Sequence, residues 1–437
     1  AWQRRAEATA AAHPWVWVEA AELLERQDRL EEAIAAVRHA LTLQPFYRPA
    51  VQLAARQLAN VGRDDEALAL LTAACERMES GFLWVQRALL ESEQGRHADA
   101  LASFERAIEL LPLMEKPYAS WFFARRSDEA YALGDHANAV AWARESDVPA
   151  LRRFADALAA RHEPVRRVLL PVGFVRQNHV TCAPATLASI SAYWSRPADH
   201  LEVAERICYD GTPAHSERCW AEENGFAVRE FTVTWDVTRA LLDRGVPFTL
   251  TTVGPRAGHL QAALGYDDCR MSLLVRDPGS PLIAEYTIEG LLAAHRATGP
   301  RGMTLVPADQ AGLVAEVDLP DAAFYDLFHR LQSGLARHDR ATAWEAWQEL
   351  AERAPDHRLA LLGRRSIAAY DHDISTLLDC VERLLVRFPE DVNLQLEQLS
   401  CLGQLARRDL RRKILAERAA DGGDPIFLGI YARELSG

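Results

Sequence analysis

Residues 177–187 read QNHVTCAPATL and are the most informative stretch of this sequence. Thr181 is a favourable N-cap and Pro184 suits a first helical turn, so a helix is predicted to begin at Cys182. Unpaired N–H groups and the helix dipole favour a thiolate at that position. Gln177 can place its side-chain amide beside the Cys182 N–H, and two such donors form an oxyanion hole. The alternative is a buried helix-start cysteine near a solvated glutamine.

A second group of polar residues stands further along the chain. Gly258-His259 opens an apolar strand, and Asp277 follows the next one. A hairpin turning at residues 267–269, centred on 268, would place His259 opposite Asp277, with about 4.5–5.5 Å between their Cβ atoms. A carboxylate at that distance orients an imidazole general base. The alternative is a strand-edge histidine and an unrelated turn aspartate, and a one-residue slip would separate the two side chains.

Helical repeats are predicted before this region. Ala33, Ala67 and Ala100 recur at intervals of 34 and 33 residues, and a glycine stands five residues before the second and third. A looser fourth copy around Ala139 follows 39 residues later. Small residues allow paired helices to touch, and glycine suits the turn between them. The pattern over residues 12–160 resembles the tetratricopeptide repeat (TPR), whose arrays form a groove that binds peptides or partner proteins.

The same spacing returns near the other end of the sequence. Four positions recur at an interval of 34 residues. They are Ala343 and Leu377, Trp347 and Val381, Leu350 and Leu384, and Pro355 and Pro389. A weaker third unit follows at 411–425. We therefore predict a second TPR-like array, with a simple amphipathic helical tail as the alternative.

Residues 168–307 lose the helical repeat. Strands are predicted at 168–175, 231–235, 248–253, 260–266, 271–276 and 303–306. Helices are predicted at about 182–194, 199–208, 215–224, 236–244 and 288–297. Helices grouped early and strands grouped late favour an α+β domain over a parallel βαβ sheet.

The order of short motifs in this central region resembles the C39-type cysteine peptidases. The motifs are Gln-x4-Cys-Ala-Pro-Ala at 177–185, Gly-Thr at 211–212, Asn-Gly-Phe at 224–226, Gly-Val-Pro at 245–247, Gly-His at 258–259, Gly-Tyr at 265–266 and Asp-Pro at 277–278. The resemblance implies a papain-like fold with Cys182 as nucleophile, His259 as base, Asp277 as orienting carboxylate and Gln177 in the oxyanion hole. The best-known members cleave leader peptides after paired glycines, and Ala183 departs from the glycine that usually follows the nucleophile.

The predicted architecture is an α+β papain-like cysteine peptidase domain between two all-α TPR-like solenoid arrays. The expected boundaries are 1–164 for the first array, 165–307 for the peptidase domain, 308–320 for a linker and 321–437 for the second array. The expected activity is cleavage of a peptide or protein substrate through an acyl-enzyme. The alternatives are a transpeptidase or amide-forming acyltransferase with the same triad, and a scaffold whose middle domain only binds peptides.

The arrays are expected to recognise a substrate segment remote from the cleaved bond, or a protein partner. In that case, removal of residues 1–160 would raise KM for a full-length substrate and leave cleavage of a short peptide unchanged. The alternative is that the repeats dock the enzyme on a partner or brace the catalytic domain.

Composition argues against several other functions. The net charge of −13, with a near-neutral middle between acidic flanks, disfavours nucleic-acid binding. No apolar run reaches the roughly 20 residues that span a bilayer. The seven cysteines are scattered without a CxxC pair, which favours a reducing, cytoplasmic location. His215, Cys219 and Cys208 form an incomplete metal-ligand set, so no metal or organic cofactor is expected.

Overall fold

The computed structural model of the protein describes residues 11–254, 257–420 and 424–436. The chain divides into two compact units. The first comprises Ala1–Ala185 with Gly265–Thr287, and the second comprises Thr186–Leu264 with Ile288–Gly437. An antiparallel sheet with its helices lies between two helical regions of the sequence, which confirms the predicted fold class.

The N-terminal region forms helix pairs, as the repeat pattern predicts. The helices are α1 Pro14–Glu25, α2 Leu30–Leu43, α3 Arg48–Asn60, α4 Asp64–Cys75, α5 Gly81–Glu93, α6 His97–Leu110, α7 Lys116–Ala132, α8 His136–Glu145 and α9 Pro149–Ala160. The anchor residues Ala33, Ala67, Ala100 and Ala139 are all fully buried. Because a larger side chain would force the paired helices apart, their burial explains the spacing of small residues, including the looser fourth copy.

Each of these helix pairs turns through a residue in the left-handed region. Gly62, Gly95 and Gly134 have φ angles of 72°, 72° and 77°. Glycine is favoured there because it has no Cβ to clash with the backbone. Asp28 occupies the corresponding position of the first pair, with φ 58°. The sequence pattern therefore missed this turn, since a carboxylate stands where the other repeats have glycine.

The strands are β1 Arg167–Leu169, β2 Phe226–Thr232, β3 Phe248–Val253, β4 Gly258–Asp267, β5 Ser272–Arg276, β6 Ile283–Thr287 and β7 Arg301–Pro307. In the second unit, the antiparallel order is β2-β7-β3-β4. Strand β4 continues into the first unit, where its last three residues pair with β1. In that unit β5 pairs with β6.

The core of the second unit depends on a close approach between two strands. Gly302 of β7 lies opposite Phe231 of β2. A Cβ at residue 302 would lie 2.6 Å from the Phe231 ring, so the aromatic side chain occupies the space that glycine leaves. Phe231 in turn contacts Phe248 edge-to-face, with 5.4 Å between ring centroids. This aromatic pair fixes β2, β7 and β3 around one buried centre.

The central helices occur where the sequence predicts them. They are α10 Cys182–Tyr193, α11 His200–Ile207, α12 Ala214–Glu223, α13 Trp235–Leu242 and α14 Ile288–Ala294. Two strand predictions were wrong in extent, and one strand was missed. The strand expected at 231–235 runs from Phe226 to Thr232 instead, because the Thr234 side chain caps the helix that begins at Trp235. The strand expected at 168–175 ends at Leu169, because Pro171 cannot donate to a ladder. Strand β6 was missed, because its residues are mostly exposed and lack an apolar alternation.

The C-terminal region is again helical. Its helices are α15 Gly312–Ala315, α16 Ala322–Ala336, α17 Arg340–Arg353, α18 Arg358–Tyr370, α19 Ile374–Arg387, α20 Val392–Gln404, α21 Arg408–Arg418 and α22 Pro425–Ser436. The matched positions Ala343 and Leu377 are 0% and 8% exposed. His338, His372 and Ala406 take the left-handed turn conformation that glycine takes in the first array, with φ angles of 58°, 57° and 55°. Over the described ranges, no helix has the length and apolar character needed to cross a membrane.

Within the first unit, the N-terminal helices hold the β4–β5 turn. The hydroxyl of Tyr131 donates to Asp267 Oδ1 at 3.0 Å, and Arg270 pairs with Asp128 at 2.7 Å. Arg270 also lies over the Tyr131 ring, 4.9 Å from its centroid. Asp267 is fully buried, so these polar partners compensate for the loss of its hydration. The first array therefore stabilises this turn through contacts from α7.

Candidate active site

Cys182 is the first residue of helix α10, as predicted. Thr181, directly before it, is 8% exposed, and its Oγ1 accepts the Asn178 N–H at 2.8 Å. The Thr181 carbonyl accepts the first helical N–H, from Ala185, at 3.1 Å. The Cys182 thiol is reduced and half-buried. This places a sulfur atom at the positive end of a 12-residue helix, where negative charge is stabilised.

Five of the other cysteines have environments that disfavour a thiolate. Burial raises the pKa of Cys75, Cys380 and Cys401 to about 11. Burial also raises the pKa of Cys219 and of Cys269, where the Asp267 charge adds to the effect. Four of these thiols are buried and act as small apolar side chains of the packed interior, whereas Cys219 is half-buried.

Gln177 is fixed to the loop that follows β5. Its backbone N–H donates to the Pro278 carbonyl at 2.9 Å. Its Nε2 lies 3.9 Å from the position that a Cβ would occupy at Gly279. Its Oε1 is buried and accepts no hydrogen bond from the residues that the structure describes. The structure therefore brings the predicted oxyanion residue against the loop that carries Asp277.

Asp277 directly follows strand β5 and begins a tight turn. Its Oδ1 accepts the Gly279 N–H at 2.7 Å, and its carbonyl accepts the Ser280 N–H at 3.2 Å. A Cβ at residue 279 would lie 3.1 Å from Asp277 Oδ1, so glycine lets the loop close on the carboxylate. This turn restricts the rotamer of Asp277, as expected for an orienting carboxylate.

His259 is the second residue of β4 and lies opposite Thr252 of β3 in the second unit. Its side chain is half-buried. The turn predicted at 267–269 is wrong in position, because the β4–β5 connection spans residues 268–271. The turn moves because Asp267 Oδ1 accepts the N–H groups of the two residues after 268, both at 2.9 Å. The proximity of His259 to Asp277 no longer follows from the turn and stays a prediction.

The first array contacts both loops of this site. Asp28 accepts the His179 N–H at 3.0 Å and pairs with Arg176 at 3.1 Å. Glu93, at the end of α5, accepts the Ile283 N–H at 2.9 Å. Sequence reasoning missed both carboxylates. The only available signal was the aspartate at a turn position that otherwise holds glycine.

His215, Cys219 and Cys208, the incomplete ligand set noted in the sequence, do not form a three-residue metal cluster in the residues that the structure describes. Cys219 instead has its Sγ 4.0 Å from His329 Nε2. In the described part of the chain, no group of three or more His, Cys, Asp or Glu residues is arranged to hold a metal ion.

Comparison with solved structures gives several matches of low identity. The peptidase domain of Streptococcus ComA, a bifunctional ABC transporter of a quorum-sensing pathway, is 21% identical, with 31% of this chain and 98% of that chain covered and a TM-score of 0.26. The APC/C assembly Cut9–Hcn1 is 14% identical, with coverages of 51% and 35% and a TM-score of 0.29. The TPR2AB domain of yeast Sti1 is 13% identical, with coverages of 88% and 94% and a TM-score of 0.20.

Family comparison is more specific than these structural likenesses. No curated protein matches this sequence. Residues 169–300 match the Peptidase_C39 like family, and residues 16–47 and 83–112 match the tetratricopeptide repeat. Both resemblances predicted from the sequence are thus confirmed: this chain carries a C39-peptidase-like segment preceded by tetratricopeptide repeats.

Proposed function

We propose that this protein is a cysteine peptidase that cleaves a peptide or protein substrate through an acyl-enzyme. Cys182 is the nucleophile, His259 the general base, Asp277 the carboxylate that orients it, and Gln177 an oxyanion donor. The observation that carries the proposal is the bond from the Gln177 N–H to the Pro278 carbonyl. It joins the segment that leads into the nucleophile helix to the loop of the orienting carboxylate.

The reaction proceeds in two displacements. The Cys182 thiolate attacks the scissile carbonyl carbon and forms a C–S bond, while negative charge develops on the carbonyl oxygen. The Cys182 N–H and the Gln177 amide donate to that oxygen. The C–N bond then breaks as protonated His259 gives its proton to the leaving amine. Water, deprotonated by His259, next attacks the thioester, releases the carboxylic acid and regenerates the thiolate.

The surroundings of Gln177 support its proposed role. A buried amide oxygen without a partner costs about 1–3 kcal/mol, so it is rarely retained without a reason. The backbone of Gln177 is fixed by its bond to the Pro278 carbonyl, which limits the positions that its side-chain amide can reach. A donor that needs no reorganisation in the transition state stabilises the developing charge most effectively.

The proposed organisation keeps the peptidase domain at 165–307, with arrays at 1–164 and 321–437 that recognise substrate or a protein partner. The seven scattered cysteines, with no CxxC pair among them, suit a reducing, cytoplasmic compartment. Two other outcomes share the same residues. An amine in place of water would make the enzyme an acyltransferase, and an inert Cys182 would leave a peptide-binding scaffold.

Incubation of the full chain with a proteome-derived peptide pool distinguishes these functions. Mass spectrometry would compare products from the wild type, Cys182→Ala and the matched control Cys208→Ala, each with and without glycinamide. We expect new cleavage products with the wild type and Cys208→Ala, and none with Cys182→Ala. Glycinamide-capped products would assign acyl transfer instead of hydrolysis. Equal product patterns for the wild type and Cys182→Ala would overturn the proposal in favour of a scaffold.

A further inference from the structure

A large cavity lies within the first unit, between the N-terminal helices and the loops of the candidate site. Its volume is about 730 Å³, within the usual range of about 300–1,000 Å³ for ligand sites. Helices α1, α3, α4 and α5 form one wall, and residues 173–176 and 276–282 form the other. We call this cavity the repeat cleft.

The repeat cleft continues to the candidate oxyanion residue. A smaller cavity of about 250 Å³ is lined by Gln177, Asn178 and His179. The two cavities share Glu25, Arg176 and Gly279 as lining residues. A chain that occupies the cleft and leaves it at this end therefore arrives beside Gln177.

Five of the six charged side chains in the cleft wall have an ion-pair partner, and the sixth, Asp64, has a pKa raised by burial, an effect that the Arg276 charge partly offsets. Arg56 pairs with Glu25 at 2.9 Å, and Arg276 pairs with Glu93 at 3.6 Å. The Arg276 Nη1 also donates to the Pro281 carbonyl at 2.6 Å. An occupant with charged side chains would lose hydration and would mostly meet charges that are already paired. The wall therefore selects against charged side chains.

Apolar side chains line the cleft from both walls. Ala59, Leu89 and Leu90 are half-buried on the helical wall, and Phe174 and Leu282 face them from the loops. Side chains of this kind bind apolar groups through the hydrophobic effect, at about 25 cal/mol per Å² of buried surface. Lining residues from four helices and two loops suit an elongated occupant better than a compact one.

We propose that the repeat cleft binds an uncharged, extended segment of the substrate polypeptide that directly flanks the cleaved bond. The proposal rests on the peptidase function and makes its substrate class specific. The bound segment is covalently continuous with the reacting carbonyl, so its binding raises the local concentration of that carbonyl at Cys182. The first array thus binds substrate residues adjacent to the cleaved bond. The repeat pattern alone had suggested that it binds a remote segment.

Substitutions on the two walls test this inference with the same proteome-derived peptide pool. Ala59→Trp fills the cleft from α3, and Ala98→Trp adds the same bulk at an exposed position of α6 as a control. Leu282→Asp adds a charge on the loop wall, at a side chain that is 37% exposed. Because this residue is partly exposed, the variant should fold and can test the proposal even if Ala59→Trp misfolds. Cleavage-site sequences are determined for each protein, and KM and kcat are measured on the best-cleaved peptide.

We expect wild-type cleavage sites to be depleted of Asp, Glu, Lys and Arg at consecutive positions on one side of the cut. Ala59→Trp and Leu282→Asp should raise KM about tenfold or more with little change in kcat, and Ala98→Trp should match the wild type. Two results would overturn the cleft proposal alone. One is a frequency of charged residues beside the cleaved bonds equal to that in the whole pool, and the other is an unchanged KM in folded Ala59→Trp or Leu282→Asp. Absence of any Cys182-dependent cleavage would overturn the peptidase function itself, and the cleft proposal with it.

Discussion

The carboxylate of Asp28 accepts a hydrogen bond from the backbone N–H of His179, with 3.0 Å between oxygen and nitrogen. Its other oxygen accepts from the Arg176 guanidinium at 3.1 Å. Asp28 lies in the first repeat turn, and His179 lies between Gln177 and Cys182. A turn of the helical array therefore positions the loop that carries the candidate oxyanion donor.

Asp28→Gly should separate this positioning role from the folding of the turn. Glycine adopts the φ of 58° without strain, so the repeat should stay folded while the loop loses its anchor. We expect kcat to fall by about tenfold to a hundredfold, since a displacement of about 1 Å can have that effect. KM should change little. His338→Gly makes the same backbone change in the other array and should leave kcat unaltered. Equal kcat for Asp28→Gly and wild type would show that Asp28 does not position the loop for catalysis.

The thiols should differ sharply in reactivity. At pH 6, chloroacetamide should alkylate Cys182 first, because the helix start and His259 favour its thiolate. Cys75, Cys380 and Cys401 should react slowest in the native protein, since burial raises the pKa of each to about 11. Peptide mapping by mass spectrometry follows each site over time. The half-buried Cys208 is the comparator, and alkylation of Cys208 as fast as Cys182 would argue against an activated nucleophile.

Gln177→Ala should lower kcat by roughly 10²–10³-fold, the usual loss when one oxyanion donor is removed. The backbone bond to the Pro278 carbonyl survives this substitution, so the melting temperature should stay near that of the wild type. Gln94→Ala, at the end of a repeat helix, is the matched control. Wild-type turnover in Gln177→Ala would show that another group stabilises the oxyanion.

Asp321 should contribute an acid-sensitive part of the stability of the second unit. Its carboxylate accepts hydrogen bonds from His357 and Thr232 and pairs with Arg358, which together hold its pKa well below the ordinary value. This stabilisation is complete above the unfolded-state pKa of about 3.9 and is lost as pH falls towards the folded-state pKa.

Asp321→Asn should therefore lower the free energy of unfolding at pH 7. At pH 2.5 the difference in free energy of unfolding between variant and wild type should be smaller. Urea unfolding at both pH values measures the two differences. A difference that is equal at pH 7 and pH 2.5 would show that the Asp321 charge does not stabilise the fold.

The parts of the fold that depend on local pattern were predictable from the sequence. The helix start at Cys182 follows from Thr181 and Pro184, and the repeats follow from the spacing of small residues. The β4–β5 turn was misplaced because Asp267 folds back onto the following N–H groups, which alternation of apolar residues does not reveal. The role of Asp28 was hidden because an aspartate in a turn is usually only a turn residue.

The contacts that the first array makes with the β4–β5 turn and with the loops of the candidate site were also hidden from the sequence. Tyr131 and Asp267 are 136 positions apart, and Glu93 and Ile283 are 190 apart. Such pairs leave no periodic signal in a single sequence. They favour the bracing alternative for residues 1–160, so removal of that region should lower the melting temperature and not merely raise KM.

We propose that Cys182 is the nucleophile and that His259 activates it as a general base. The pH dependence of Cys182 alkylation tests whether the two residues form such a pair. Chloroacetamide rates at Cys182 are measured by peptide mapping from pH 4 to 10 in the wild type and in His259→Ala. We predict a wild-type midpoint well below the ordinary thiol value of about 8.5, and a midpoint in His259→Ala that moves up towards it. Coincident profiles for the two proteins, both with midpoints near 8.5, would contradict the catalytic pair.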